Sequence, residues 1–142
     1  MALRAISYAS EAVTPLEAPR LVALVDDAAR FNQGVDVTGV LLFDGQRFLQ
    51  YIEGPERALM EVYARILASG SHSEIIELAR GRVGRRVFPD WSMRLLPISA
   101  EMLSDAARAD WSGFVRRASR GGDMWAAMDH LAAAARAPAG TP

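Results

Sequence analysis

The sequence contains no cysteine. That excludes disulfides, thiolate catalysis, cysteine-ligated zinc or iron–sulfur centres, and any covalent cysteinyl adduct with a cofactor. Its two histidines, His72 and His130, are too far apart for metal-ligand spacing. No run of 18 apolar residues occurs, so no membrane-spanning helix is expected. The start, Met1-Ala2-Leu3-Arg4, lacks the apolar segment of a signal peptide, which makes a cytoplasmic location the expectation. Neither sign of charge dominates: Lys+Arg number 16 and Asp+Glu 17, a formal net charge of -1. Proteins that live on phosphate backbones carry a clear positive excess, so nucleic acid is not an expected partner. The runs Arg80, Arg82, Arg85, Arg86 and Arg116, Arg117, Arg120 read as solvated faces. Neither G-x-x-x-x-G-K-[ST] nor G-x-G-x-x-G is present, and nothing suggests a Ser-His-Asp constellation.

What is present is enough for one core. Hydrophobic residues make up 51% of 142 and charged residues 23%, an ordinary globular balance. Leu3 to Ser10 reads as a strand with Ile6 and Tyr8 on one face and Ala5, Ser7 and Ala9 on the other. Glu11 to Ala18 reads as a loop. From Pro19, the residues Leu21, Leu24, Val25 and Ala28 give an amphipathic helix, with Gly34 as its stop. Val37–Phe43 and Gln46–Glu53 are strands joined by Asp44-Gly45, which suggests a two-residue type I′ hairpin. Pro55 opens a second helix with Leu59, Val62, Tyr63 and Ile66 on one stripe. Glu74 to Val87, interrupted by Gly81 and Gly84, reads as a bulged strand, and Trp91–Ile98 as the last strand. The order β-α-β-β-α-β-β suggests an α+β, ferredoxin-like sandwich with both helices on one face of a mixed sheet. Residues 99–142 change character: Ser99 caps a short helix at Glu101–Arg108, and Asp123 caps another through Trp125, Met128 and Leu131. This gives a main domain over 1–98 and a C-terminal helical extension over 99–142.

The parity of the polar residues is informative. On the second hairpin strand Gln50 shares a face with Phe48 and Ile52, and Glu53 marks the other face as partly wet. A buried amide needs partners. By the same counting Tyr8, Gln50, Met93 and Trp91 face the helices together. Taken singly, each has a plain reading: a core tyrosine with one bonded hydroxyl, a strand-end amide, a gap-filling thioether. Asn32 beside Gly34 is an ordinary helix end.

Together these residues form a combination. Ile6-Ser7-Tyr8-Ala9-Ser10, Asn32 with Val37-Thr38-Gly39, Phe48-Leu49-Gln50-Tyr51-Ile52-Glu53-Gly54-Pro55, and Arg86-Val87-Phe88-Pro89-Asp90-Trp91-Ser92-Met93 resemble the BLUF family, small blue-light sensors that use a flavin. The resemblance covers about Leu3 to Ile98. It implies a non-covalent flavin between the two helices, FAD with FMN or riboflavin as alternatives. Leu24 and Ile66 match positions that sandwich the ring, and Asn32 one that bonds its pyrimidine edge. Arg65 and His72 match positions near its polar, phosphate-bearing side. Tyr8 matches the photoactive tyrosine and Gln50 the switching glutamine. Met93 and Trp91 match the pair that relays the signal through the last strand. With no output enzyme in view, the resemblance implies a light sensor without substrate turnover, read by an unidentified downstream protein or through a homo-oligomer. The C-terminal helices, anchored by Trp111 and Trp125, are expected on the open sheet face, which otherwise exposes Leu49, Tyr51 and Leu96. Two rival readings are a flavin-free interaction module with the same fold and a small acylphosphatase-like enzyme built on Arg4 and Asn32.

Overall fold

The computed structural model describes residues 2–13, 17–109, 111 and 127–136. Nine elements follow in order: β1 (Leu3–Ala12), α1 (Ala18–Gly34), β2 (Thr38–Phe43), β3 (Arg47–Pro55), α2 (Glu56–Ala68), β4 (His72–Val83), β5 (Arg94–Pro97), α3 (Ala100–Ala107) and α4 (Ala127–Arg136). The five strands form one sheet in the order β4-β1-β3-β2-β5. All neighbours are antiparallel except β2 and β5, which run parallel. This is the mixed, ferredoxin-like α+β sheet that the order of elements suggests.

Local chemistry explains most boundaries. Pro19 lies in the first turn of α1, where its missing N–H is not needed. Ser99 caps α3, its hydroxyl accepting from Met102 N at 3.1 Å. Several boundaries differ from expectation, among them β3, which ends at Pro55, and β4, which ends at Val83. β1 continues to Ala12, because Ala12 N donates to Gln46 O. The hairpin is not type I′: Phe43 pairs with Phe48, and of Asp44 and Gly45 only Gly45 has positive φ, at 103°. The Asp44 side chain instead accepts from Gln46 N and Arg47 N, making an Asx-type turn one residue longer. The last strand is shorter than Trp91–Ile98 and begins at Arg94. β4 is irregular, but not at its glycines: Gly81 pairs with Ala5 in register and Gly84 lies beyond the strand, while the register against β1 shifts twice between Ser73 and Ala79, and Glu74 has φ 54°.

Each sheet face carries its own core. Ile6, Tyr8 and Ile52 pack with Leu59, Val62 and Tyr63 of α2 and with the partly buried Val25 and Ala28 of α1. On the opposite face Ala5, Val40, Leu42, Leu49, Tyr51 and Leu96 pack with Leu103 and Ala106 of α3 and Leu131 and Ala134 of α4. Leu49, Leu103 and Leu131 are at most 1% exposed; fully burying each stabilises by roughly 1.5–3 kcal/mol. Trp111 joins this layer and donates its indole N–H to Ala106 O at 3.0 Å. Trp125, the Gly121-Gly122 break and the Asp123 cap lie outside the described residues. Gly39 lets β2 lie close against β3: a Cβ there would stand 2.0 Å from Tyr51 O.

Candidate functional site

Between α1 and α2, over the middle of the sheet, lies a cleft of about 240 Å³. Its walls are aliphatic: Leu24, Val25 and Ala28 from α1, Val62 and Ile66 from α2. Its floor is polar and comes from three strands or their approaches. β1 supplies Tyr8, β3 supplies Gln50, and the residue before β5 supplies Met93. Period-two alternation delivers Tyr8 and Gln50, since Ile6 and Tyr8 share one face of β1 and Phe48, Gln50 and Ile52 the same face of β3.

The floor is a connected network. Tyr8 and Gln50 are Cα partners across β1 and β3. The Tyr8 hydroxyl donates to Gln50 Oε1, and Gln50 Nε2 donates to Met93 Sδ at 3.3 Å. All three are buried, Tyr8 at 3%, Gln50 at 5% and Met93 at 7% exposure. Burial pushes the Tyr8 phenol well above its ordinary range, with neighbouring Tyr63 adding to the effect. Tyr8 therefore stands as a neutral donor. Tyr63 lies against it, ring centroids 6.1 Å apart.

The ends of the cleft are polar too. Asn32 is buried at the end of α1 and donates from Nδ2 to Ser92 O at 2.9 Å. Its second N–H and its carbonyl remain the groups it can present to the cleft it lines. Arg65 lies at the exposed mouth, its guanidinium 3.9 Å from the Phe31 ring centroid, so a cation–π contact ties α2 to α1. His72 lines the cleft, but both ring nitrogens bond within the protein. Nε2 lies 2.9 Å from Ile66 O and Nδ1 2.7 Å from Ser10 Oγ. A carbonyl only accepts, so Nε2 carries the proton. His72 thus fixes the end of α2 against β1. Reasoning from sequence missed Ser10, although it continues the Ile6–Tyr8 parity, and missed Ser69 and Ser71, which also line this end.

Two expectations are corrected. Trp91 does not share the floor with Met93. Residues 84–93 are not a strand, so alternation does not apply, and Trp91 turns to the opposite face. It stacks on Phe88 at 5.6 Å, with the Arg94 guanidinium 4.5 Å from its own ring. Glu53 does not mark a wet face: it is 0% exposed beneath that second layer. Arg4 pairs with Glu56 at 3.9 Å and does not line the cleft that holds Asn32. The Arg–Asn pair needed for an acylphosphatase-like site is therefore not assembled.

An apolar slot with amide groups and a phenol at its floor suits a flat heteroaromatic ring whose edge carries both donors and acceptors. Comparison with known proteins gives the class. Residues 3–94 match the model of the BLUF family, sensors of blue-light using FAD. The chain belongs to the BLUF family. It is 33% identical over 90 residues, 63% of its length, to the blue light- and temperature-regulated antirepressor BluF of Escherichia coli, of which it spans 22%. It is 29% identical over 103 residues, 72% of its length, to the photoactivated adenylate cyclase subunit beta of Euglena longa, of which it spans 12%. Among solved structures, the dark state of BlrB, a BLUF protein, superposes with a TM-score of 0.68 and 32% identity, covering 79% of this chain and 86% of that one. Klebsiella pneumoniae BlrP1 with FMN and cyclic diGMP superposes with a TM-score of 0.63 and 34% identity, covering 67% and 26%. The BLUF family is one of blue-light sensors that use a flavin, and the chain spans only a small part of the length of these curated relatives. No helix among its described residues is long and apolar enough to cross a membrane.

Proposed function

We propose that this chain senses blue light through a non-covalent FAD held in the α1–α2 cleft and signals by rearranging the Tyr8–Gln50–Met93 network. When bound, the flavin supplies blue-light absorption and an excited state that accepts an electron and a proton. The residues divide that work. Leu24 and Ile66, on facing helices, enclose the ring. Asn32 and Gln50 address its polar edge. Arg65 at the mouth offers positive charge toward a phosphate-bearing tail, and His72 orients the end of α2. Tyr8 is the electron and proton donor, kept protonated by burial.

One observation carries the reading. Gln50 is held between a strong donor at its oxygen and a weak thioether acceptor at its nitrogen. An amide has opposite hydrogen-bonding character at its two ends. Rotation or tautomerisation therefore changes what Tyr8 and Met93 both meet. A sulfur opposite an oxygen loses its hydrogen bond, so Met93, immediately before β5, is free to shift. Across the turn, Trp91 passes that shift to the opposite layer, where β5, α3 and α4 meet. An unidentified partner protein or a second copy reads that layer in the cytoplasm, with no substrate turned over by this chain.

The test is an absorption spectrum of the purified protein before and after blue light. The expected result is a flavin spectrum that moves to the red and recovers in darkness, with Tyr8→Phe removing the shift. Chromatography of the released pigment separates FAD from FMN and riboflavin. A colourless protein that takes up none of the three flavins on refolding sinks the proposal and leaves the flavin-free interaction module.

A further inference from the structure

Outside the cleft, Glu53 is a buried carboxylate with both oxygens fully bonded. It lies three residues beyond Gln50 on β3, an odd spacing that puts it on the opposite face. Val87 N and Phe88 N donate to its two oxygens at 2.8 and 2.7 Å. The Tyr51 hydroxyl donates at 2.9 Å and the Thr38 hydroxyl at 3.2 Å. Four donors thus meet the acceptor directions of one carboxylate. Arg86 completes the assembly. It donates to Thr38 Oγ1 at 2.9 Å, to Glu53 O at 3.3 Å and to Asp36 O at 2.8 Å. Its guanidinium also pairs with the Asp36 carboxylate at 3.0 Å.

We infer that Glu53 is a positioning residue for the light switch: its carboxylate fixes the segment from Arg86 to Met93, and so sets the Met93 sulfur against Gln50. The inference rests on the reading of Tyr8, Gln50 and Met93 as the switch. That segment carries neither a strand nor a helix of its own. It is fastened at two places. Glu53 and Arg86 hold its start, and at its end Trp91 O accepts from Gly39 N and Ser92 O from Asn32. Met93 is the next residue. β3 therefore holds Gln50 on one face and, through Glu53 on the other, the chain that delivers Gln50's partner. A glutamine in place of Glu53 would turn an NH₂ group toward two of the four donors and release that end of the segment.

The experiment uses the full chain loaded with flavin, its methionine methyls labelled with carbon-13, in darkness. Met93→Leu identifies the Met93 signal among the six methionines. In Glu53→Gln we expect the Met93 signal to move or split while that of exposed Met60 on α2 holds. Val87 and Phe88 amides should exchange at least tenfold faster, and dark recovery of the red-shifted spectrum should change at least threefold. Glu53→Asp should restore part of each. A folded Glu53→Gln protein with an unmoved Met93 signal overturns the inference. If that variant does not fold, Thr38→Val, which removes one donor and the Arg86 support, should move the Met93 signal less but in the same sense; an unmoved signal there overturns the inference equally. If the wild type shows no red shift, the light-switch reading fails, and the Met93 signal in darkness still decides whether Glu53 positions it.

Discussion

Gln50 and Glu53 stand three residues apart on one strand, both almost fully buried, and they are held in opposite ways. Gln50 bonds to one phenol and one sulfur, the second a weak acceptor. Glu53 receives donors at both oxygens, two of them backbone N–H groups that cannot rotate away. The first arrangement has a second state of similar hydrogen-bonding quality, because an amide can exchange its ends. The second has none, because every partner of the carboxylate is a donor. A polar group inside a protein is mobile or fixed according to whether its partners tolerate an alternative, and burial alone does not decide it. The two sheet faces follow the same division. The Gln50 face opens into a cleft between helices, and the Glu53 face packs an apolar layer against α3 and α4.

The contrast can be broken first at its mobile end. Gln50→Leu keeps the size of the side chain and removes both amide ends, so the light-induced red shift should disappear entirely; a spectrum that still shifts would remove Gln50 from the switch. The fixed face should respond in stability instead. Leu49→Ala empties a site with 0% exposure and should cost about 2–5 kcal/mol in urea unfolding, with the red shift retained. Loss of the shift with stability unchanged would reverse the assignment of the faces.

Alkaline titration tests both faces at once. Burial raises the Tyr8 and Tyr51 phenols, and Glu53 adds to the effect at Tyr51. Groups whose folded pKa is raised stabilise fully below the unfolded value and lose that contribution as pH climbs above it. Stability should therefore hold up to about pH 10, the ordinary phenol value, then fall by roughly 3 kcal/mol per pH unit from these two protons, with Tyr63, also raised by burial, adding to the fall. Phenolate absorbance should appear together with loss of circular dichroism. Phenolate signal from both tyrosines before unfolding would contradict the burial argument.

Smaller effects sharpen the picture. Tyr51→Phe removes one of the four donors to Glu53 and should cost about 1–2 kcal/mol, read as a lower urea midpoint at unchanged slope. Arg30→Ala breaks an ion pair with Asp27 that is mostly exposed on both sides. It should change stability by less than about 0.5 kcal/mol, and a larger loss would mean that the α1 surface is coupled to the core.

Much of the site was legible because β-strand alternation is local. Tyr8 and Gln50 face the cleft as counting predicts, Met93 reaches it from outside a strand, and Leu24, Asn32, Arg65, Ile66 and His72 also line it. Counting failed at Trp91, since parity holds only while the chain is a strand and residues 84–93 are not one. It also failed at Glu53, where a carboxylate in an apolar pattern reads as a wet face. Its two backbone donors come from residues 34 and 35 positions away along the chain, and no local pattern reports them. The open role of His72 narrowed for a similar reason: Ser10, 62 positions away, occupies one of its nitrogens.

The sequence by itself determined the order of strands and helices, the inward facing of Tyr8 and Gln50 and the exclusion of cysteinyl chemistry, because periodicity, turn residues and composition are carried by neighbours along the chain. Tertiary structure alone decided which buried polar groups are fixed and which are free to change. Whether a donor meets an acceptor depends on chain segments that only folding brings within 3 Å, and a side chain's chemistry does not reveal how many partners will reach it.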